Sequence, residues 1–130
     1  MKFKKMLSFL LFPLLLTACA PLQGGYSGYK TVSPGEAADI MSREKGYIIL
    51  DVRRPDEFAS GHIPGAINIA NEAIGESEIP ALPKKDQLIL VYCRSGRRSK
   101  EASAKLVRLG YTNIVEFGGI LDWQGEIVRD

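Results

Sequence analysis

Histidine and cysteine, two common metal ligands, are scarce in this chain of 130 residues. The single histidine, His62, cannot form a metal-ligand cluster by itself. The sequence shows no histidine partner for a catalytic cysteine, which argues against a cysteine protease. The two cysteines, Cys19 and Cys93, are too few for a disulfide-stabilised scaffold. The composition, 45% hydrophobic and 25% charged residues, excludes a disordered or collagen-like chain. We therefore expect one globular domain without a metal site.

Excess charge of either sign is also small. The chain has 17 basic and 15 acidic residues, a formal net charge of +2. Three of the lysines (Lys2, Lys4 and Lys5) lie in an N-terminal segment that we expect to be removed, and without them 14 basic residues face 15 acidic ones. A strongly basic surface is the usual sign of nucleic-acid binding. We therefore expect no nucleic-acid partner.

The N-terminal segment, Met1 to Cys19, has the pattern of an export signal. The lysines precede an apolar run, Met6 to Leu16, that is shorter than the ~20 residues a transmembrane helix needs. The run ends in Leu16-Thr17-Ala18-Cys19, which resembles the lipobox of bacterial lipoproteins. That resemblance implies cleavage before Cys19 and lipidation of its sulfur. The alternative is an ordinary cleaved signal with an incidental cysteine.

A lipidated Cys19 predicts a membrane-anchored protein, because two or more acyl chains give stable attachment. We expect a signal peptide over residues 1–18, a flexible glycine-rich tether over 19–29 and a folded domain over 30–130. Ala20, rather than the aspartate that retains some lipoproteins in the inner membrane, follows the cysteine. In a Gram-negative host this predicts attachment to the outer membrane, facing the periplasm.

The folded part alternates strand-like and helix-like stretches, which is typical of βα units with a parallel sheet. Strands are predicted over residues 30–32, 47–52, 66–69, 87–92 and 113–117. Helices are predicted between Ser33 and Gly46, from Pro55 to near Gly61, from Ser99 to Leu109 and from Ile120 to Val128. The predicted fold class is α/β, a single domain whose mostly parallel central sheet carries helices on both faces.

The segment with the clearest chemistry follows the strongest predicted strand and reads Cys93-Arg94-Ser95-Gly96-Arg97-Arg98-Ser99-Lys100. Ligands bind beyond the carboxyl ends of strands in open α/β sheets. Gly96 can take a positive φ, and such a turn directs backbone N–H groups inward as an anion-binding nest. The start of the next helix and its basic side chains add positive charge. These features stabilise a thiolate on Cys93; the alternative is an inert buried cysteine.

Four motifs, in order, resemble the rhodanese family. They are Leu50-Asp51-Val52-Arg53 with Glu57-Phe58, Gly61-His62-Ile63-Pro64-Gly65-Ala66-Ile67-Asn68-Ile69, Cys93 to Ser99, and Gly118-Gly119-Ile120 with Trp123. The match runs from about Val32 to Val128. The resemblance implies a sulfurtransferase in which Cys93 takes a sulfane sulfur from a donor such as thiosulfate and passes it, as a persulfide, to a thiol or cyanide-type acceptor. No cofactor is implied.

The resemblance also implies roles for residues around the cysteine. The loop Arg94, Ser95, Gly96, Arg97 and Arg98 matches the part of the family that cradles the persulfide. Asp51 and Arg53 match positions that brace this loop and the following helix, with Ser99 in support. A plain ion pair is the alternative for Asp51 and Arg53, and Glu57 is a candidate partner of Arg53.

Two other functions are compatible with the sequence. The first is a phosphatase or arsenate reductase, whose loop follows the pattern Cys-x5-Arg. Counted from Cys93, that pattern requires arginine at position 99, where Ser99 stands, and the shorter loop closed by Arg98 suits a single sulfur atom better than a phosphate. The second is a rhodanese-like binding module without activity, although such modules often lack the cysteine that is present here.

Overall fold

A computed structural model describes residues 28–130. The predicted signal peptide, Cys19 and the tether as far as residue 27 lie outside the described residues. The strands are β1 (Lys30–Thr31), β2 (Ile48–Asp51), β3 (Ile67–Asn68), β4 (Ile89–Cys93) and β5 (Ile114–Gly119). The helices are α1 (Pro34–Arg43), α2 (Pro55–Ser60) and α3 (Arg97–Arg108), with 3₁₀ turns at Asn71–Ala73 and Ile120–Asp122.

The five strands form one sheet in the order β1-β5-β4-β2-β3, and every neighbouring pair is parallel. All five residues of β4 are buried, as expected for a central strand of a sheet covered on both faces. The predicted α/β class with a parallel sheet is therefore confirmed. β4 lies between β5 and β2. In open parallel sheets, the crevice beyond the carboxyl end of such a central strand is a usual place for a ligand.

Alternate residues of the strands face two separate cores. Leu50, Val91 and Ile114 pack with Ala102 and Leu106 of α3 on one face. On the other face, the buried side chains pack with α1 and the segment after β5; they include Ala37, Ile49, Leu90, Val115 and Phe117. Helices thus cover both faces of the sheet. Within residues 28–130, no helix has the length and apolar character needed to cross a bilayer.

Local sequence explains where the helices begin. Ser33 accepts a hydrogen bond from the backbone N–H of Glu36, at 3.1 Å, and Pro34 occupies the first turn of α1. Gly96 precedes α3 with φ 115° and ψ −18°, a left-handed conformation that side chains other than glycine adopt only with strain. Helix α3 begins at Arg97, two residues earlier than predicted from the apolar spacing.

The predicted helix from Ile120 to Val128 is wrong. Only a 3₁₀ turn forms at Ile120–Asp122, and Trp123 then takes extended backbone angles, φ −75° and ψ 126°. The Trp123 indole N–H donates to the Glu126 carbonyl, and the Val128 backbone pairs with that of His62. The segment after Asp122 thus follows these contacts rather than the helical spacing of its apolar residues.

Candidate active site

The Cys93 sulfur lies at the base of the loop between β4 and α3. Its Sγ accepts a hydrogen bond from the Gly96 backbone N–H at 3.0 Å and lies 3.4 Å from the Ser99 hydroxyl oxygen. The side chain is buried, with 1% of the residue exposed. The loop folds back over the sulfur because Gly96 takes its positive φ at the third residue after Cys93. Cys93 is therefore buried, but it is surrounded by polar donors as well as by aliphatic core.

Ser99 connects this sulfur to a buried carboxylate. The Ser99 hydroxyl oxygen is 2.7 Å from Glu116 Oε1, and the same carboxylate oxygen accepts from the Gly118 backbone N–H at 2.7 Å. Glu116 lies on β5 and is fully buried. The sequence analysis missed this residue. A signal existed, because Glu116 is the one charged residue of a strand that otherwise reads Ile-Val-Phe-Gly-Gly, and strand alternation places it on the same face as Ile114, towards α3.

An open pocket of about 430 Å³ is formed over the loop. Its lining residues are mostly arginines: Arg54, Glu72, Arg94, Ser95, Arg97 and Arg98. All but Arg54 and Glu72 belong to the predicted anion-binding loop. The structure thus brings four guanidinium groups to one cavity at the carboxyl end of β4. Such a cavity attracts small anions.

The first turn of α3 adds to this positive field. It contains Arg97, Arg98 and Lys100 but no acidic residue. A helix is normally stabilised by acidic side chains in its first turn, because the macrodipole is positive there. Basic residues at this end make the local electrostatic potential more positive and favour a bound anion. A thiolate or a persulfide on Cys93 would carry such a negative charge.

Glu57 holds one of the four arginines, Arg98, whereas the side-chain hydrogen bonds of Arg54 go to Asp56. Arg98 donates two hydrogen bonds to Glu57, at 2.6 and 3.1 Å, and Arg54 lies 3.6 Å from the same group. The hydrogen bonds from Arg98 hold the pKa of Glu57 below its ordinary value, and Glu57 in turn raises the pKa of Arg98. The candidate partnership of Glu57 with Arg53 is not an ion pair, because Arg53 pairs with Asp51 and interacts with Glu57 only electrostatically. Helix α2 orients Glu57 towards α3 instead.

Asp51 and Arg53 form a buried brace beside the site. Both Asp51 oxygens accept from the Arg53 guanidinium, the shortest contact being 2.7 Å, and Oδ1 also accepts the Arg53 backbone N–H. The Arg53 guanidinium donates in addition to the Gly61 carbonyl at 2.7 Å. The pair ties the end of β2 to the end of α2. It positions α2, and with it Glu57, but it does not line the pocket.

Among residues 28–130, no group of three or more His, Cys, Asp and Glu side chains is placed to hold a metal ion. The chemistry available at the site is that of Cys93, the hydrogen-bond donors of its loop and the arginines above them. These features define an α/β protein with a cysteine-centred, anion-attracting loop between a strand and a helix. Such a site can stabilise a thiolate and receive an anionic substrate.

The sequence profile of the Rhodanese-like domain matches residues 33–126. The chain therefore belongs to the rhodanese-like family. A solved structure of a rhodanese with anions from Escherichia coli superposes with a TM-score of 0.59 and 34% sequence identity, covering 65% of this chain and 99% of that one. The family resemblance found in the motifs is thus confirmed, and with it the rhodanese-like fold.

Two relatives match this chain over very different shares of their own length. The thiosulfate sulfurtransferase PspE of Escherichia coli is 38% identical over 73 residues, which is 56% of this chain and 70% of that protein. The adenylyltransferase and sulfurtransferase UBA4 of Candida albicans is 34% identical over 104 residues, 74% of this chain but only 24% of that protein. At the level of the family, these relatives support a sulfurtransferase.

Proposed function

We propose that this protein is a sulfurtransferase that carries a sulfane sulfur as a persulfide on Cys93. The observation that supports this most directly is the hydrogen bond from the Gly96 N–H to Cys93 Sγ, made inside a loop that opens into the arginine-lined pocket. Backbone donors fixed in this way stabilise negative charge on sulfur without reorganising during the reaction. The same loop can hold the thiolate before transfer and the persulfide anion after it.

In the first half-reaction, the Cys93 thiolate attacks the outer sulfur of thiosulfate. A new bond forms between the two sulfurs, the sulfur–sulfur bond of thiosulfate breaks, and its electron pair leaves with sulfite. The three negative charges of the reactants are kept, one on the persulfide and two on sulfite. The arginines of the pocket attract the dianionic donor, and their charge also favours the departing sulfite.

In the second half-reaction, a thiolate or cyanide acceptor attacks the terminal sulfur of the persulfide. The sulfur–sulfur bond breaks towards Cys93, which regains its thiolate, and the product is an acceptor persulfide or thiocyanate. Covalent catalysis thereby divides the transfer into two steps and predicts ping-pong kinetics. The residues Arg94, Ser95, Gly96, Arg97 and Arg98 form the loop around the moving sulfur, and no cofactor is required.

The position of Ser99 argues against the alternative of a phosphatase or arsenate reductase. In a Cys-x5-Arg loop this position supplies the arginine that binds the oxyanion. Here the Ser99 side chain is buried and points to Glu116 instead. The preceding residue, Arg98, is held by Glu57 on one side of the pocket. The loop is thus built around the sulfur of Cys93.

The test compares the full chain with two cysteine variants. After incubation with thiosulfate, intact-mass spectrometry is expected to show a gain of one sulfur atom, and addition of cyanide is expected to release thiocyanate. Cys93→Ser should abolish both signals, whereas Cys19→Ser, the matched control at the other cysteine, should retain them. Thiocyanate formation at equal rates in wild type and Cys93→Ser would refute the persulfide mechanism.

The same samples separate the alternatives. Hydrolysis of an aryl phosphate faster than sulfur transfer would identify a phosphatase. A binding module would show neither activity, with Cys93 unmodified under conditions that load a control rhodanese.

We further propose that the protein is anchored to the cell envelope by lipid on Cys19, facing the periplasm from the outer membrane in a Gram-negative host. The support is the lipobox-like Leu16-Thr17-Ala18-Cys19 after a short apolar run. Labelled palmitate should be incorporated into the wild type and not into Cys19→Ser, which should also leave the membrane fraction. Equal labelling of both proteins would contradict the anchor.

A further inference from the structure

We propose that Glu116 acts through Ser99 as the proton acceptor of the Cys93 thiol, so that the three side chains form a proton relay beneath the active loop. This inference rests on the proposed function, because the Cys93 thiolate is the group that attacks the sulfur donor. Glu116 does not touch the reacting sulfur. It is a positioning residue whose effect reaches Cys93 through the Ser99 hydroxyl.

The geometry forms a continuous hydrogen-bonded chain. Cys93 Sγ is 3.4 Å from Ser99 Oγ, within the range for a sulfur donor, and Ser99 Oγ is 2.7 Å from Glu116 Oε1. The thiol can therefore donate to the hydroxyl. The hydroxyl can donate to Glu116 Oε1 or to the carbonyls of Gly96 at 2.9 Å and Gly118 at 3.3 Å, and the carboxylate oxygen is the nearest of the three. All three residues are buried, with at most 1% exposed. The Ser99 hydroxyl and the Glu116 carboxylate therefore offer the thiol proton an acceptor inside the protein.

The surroundings of Glu116 support this role. A buried carboxylate is costly unless a cation compensates it. Asp51, the other buried carboxylate near the site, has such a cation in Arg53. Within residues 28–130, no ion pair reaches Glu116, whose donors are the neutral Ser99 hydroxyl, the Gly118 N–H and the Thr31 hydroxyl at 3.2 Å. Glu116 is thus a buried carboxyl group that contacts neutral hydrogen-bond donors and lies one hydroxyl away from the Cys93 thiol.

Proton transfer along the chain conserves every atom and charge. The S–H bond of Cys93 breaks as its proton binds Ser99 Oγ, and the original Ser99 proton binds Glu116 Oε1. The single negative charge moves from Glu116 to the sulfur. There the Gly96 N–H and the Ser99 hydroxyl, now turned towards it, donate to the thiolate. The protonated carboxyl donates to Ser99 and keeps the network complete.

The other charged groups around the relay keep their charge near neutral pH. From α3, the Arg98 guanidinium interacts electrostatically with Cys93, and Glu57 of α2 holds it as a cation. From the neighbouring strands, Glu116 faces Thr31 of β1 and is in register with Val91 of β4, neither of which titrates in this range. The proposed relay therefore involves Cys93, Ser99 and Glu116 and none of these neighbouring charged groups.

The test measures how fast Cys93 of the full chain reacts with iodoacetamide between about pH 5 and 9, read by peptide mass spectrometry at Cys93 alone. Glu116→Gln keeps the shape and the hydrogen bonds but cannot take up the proton. At about pH 6 we expect this variant to react on the order of 100-fold more slowly than wild type, the lower end of the range for a positioned proton acceptor. Ser99→Ala should react as slowly as Glu116→Gln. Ser99→Thr, which keeps a hydroxyl, should recover most of the wild-type rate.

Glu78→Gln is the matched control, because Glu78 is an exposed carboxyl paired only with Lys85 among its described contacts. Its profile should equal that of wild type. A Glu116→Gln protein that reacts as fast as wild type at about pH 6, or faster, would overturn the relay. If Glu116 acted only as a fixed negative charge near Cys93, its removal would increase the fraction of thiolate and so the reaction rate. Should Glu116→Gln not fold, the Ser99→Ala and Ser99→Thr pair carries the same test.

The alkylation rate does not depend on sulfur transfer, so the two proposals fail separately. Absence of persulfide in wild type after thiosulfate would remove the sulfurtransferase function and leave the alkylation comparison valid. Normal persulfide formation with unchanged alkylation of both Glu116→Gln and Ser99→Ala would remove the relay alone.

Discussion

Gly119 packs directly against the backbone carbonyl of Arg94, and a Cβ atom on Gly119 would overlap that carbonyl group. The Leu121 N–H donates to the same oxygen at 3.3 Å. The end of β5 thus packs against the backbone of Arg94, the first residue of the active loop. This contact explains why the sequence has glycine rather than a larger residue where β5 passes the loop.

Gly119→Ala is therefore expected to displace the loop from the sulfur of Cys93. We expect a loss of about 1–3 kcal/mol in unfolding free energy from overpacking, and sulfur loading from thiosulfate reduced well beyond what that loss explains. Urea unfolding and intact-mass spectrometry measure the two effects. Gly75→Ala is the matched control, because a Cβ there would meet no atom within 4 Å. Full sulfur loading of Gly119→Ala would contradict this role of the contact.

Asp51→Asn should destabilise the fold strongly. The substitution leaves the buried Arg53 guanidinium without its counter-charge, and breaking a buried pair from one side costs about 3–5 kcal/mol. Asp56→Asn breaks the exposed pair with Arg54 and should cost less than about 1 kcal/mol. Chemical denaturation of both variants measures the difference. Similar losses in the two would show that the Asp51 brace adds little.

Glu57→Gln should change how stability depends on pH. Because Arg98 lowers the pKa of Glu57 from its ordinary 4.5 in the folded state, the ionised carboxylate stabilises the fold above pH 4.5. That stabilisation is lost as the pH falls through the lower, folded pKa. The gap in unfolding free energy between wild type and variant should therefore be widest near neutral pH and close in acid.

Urea unfolding at a series of pH values measures this gap. Glu76→Gln, which changes an exposed carboxyl, provides the control and should run parallel to wild type. A gap of constant size from neutral to acid pH would mean that Glu57 acts through packing and not through its charge.

Ser103→Ala should stabilise the protein. The Ser103 hydroxyl is buried on α3 and has no hydrogen-bond partner among the described residues, so its removal relieves a desolvation cost of about 1 kcal/mol. Ser42→Ala, at an exposed helix position whose hydroxyl bonds the Asp39 carbonyl, controls for helix propensity and should change stability by less than about 0.5 kcal/mol. Thermal unfolding compares them, and a lower melting temperature for Ser103→Ala would contradict the prediction.

Local patterns in the sequence predicted most of the fold. Strand-like stretches predicted all five strands, the Ser33 cap and Pro34 predicted the start of α1, and Gly96 predicted the turn before α3, because each depends on neighbours within a few residues. The segment after Gly119 was predicted as a helix and is not one. Its conformation depends on the pairing of Val128 with His62, which is distant along the chain.

The sequence by itself determined the cysteine, the glycine turn and the arginines of the loop, since all of them lie in the contiguous stretch from Cys93 to Arg98 and carry their chemistry locally. Only the tertiary structure decided which groups surround them. Arg98 pairs with Glu57 across 41 positions, and Ser99 bonds Glu116 across 17. These pairings depend on how α2 and β5 pack beside α3. Packing in turn depends on the complementary shapes of the whole core rather than on any local sequence pattern.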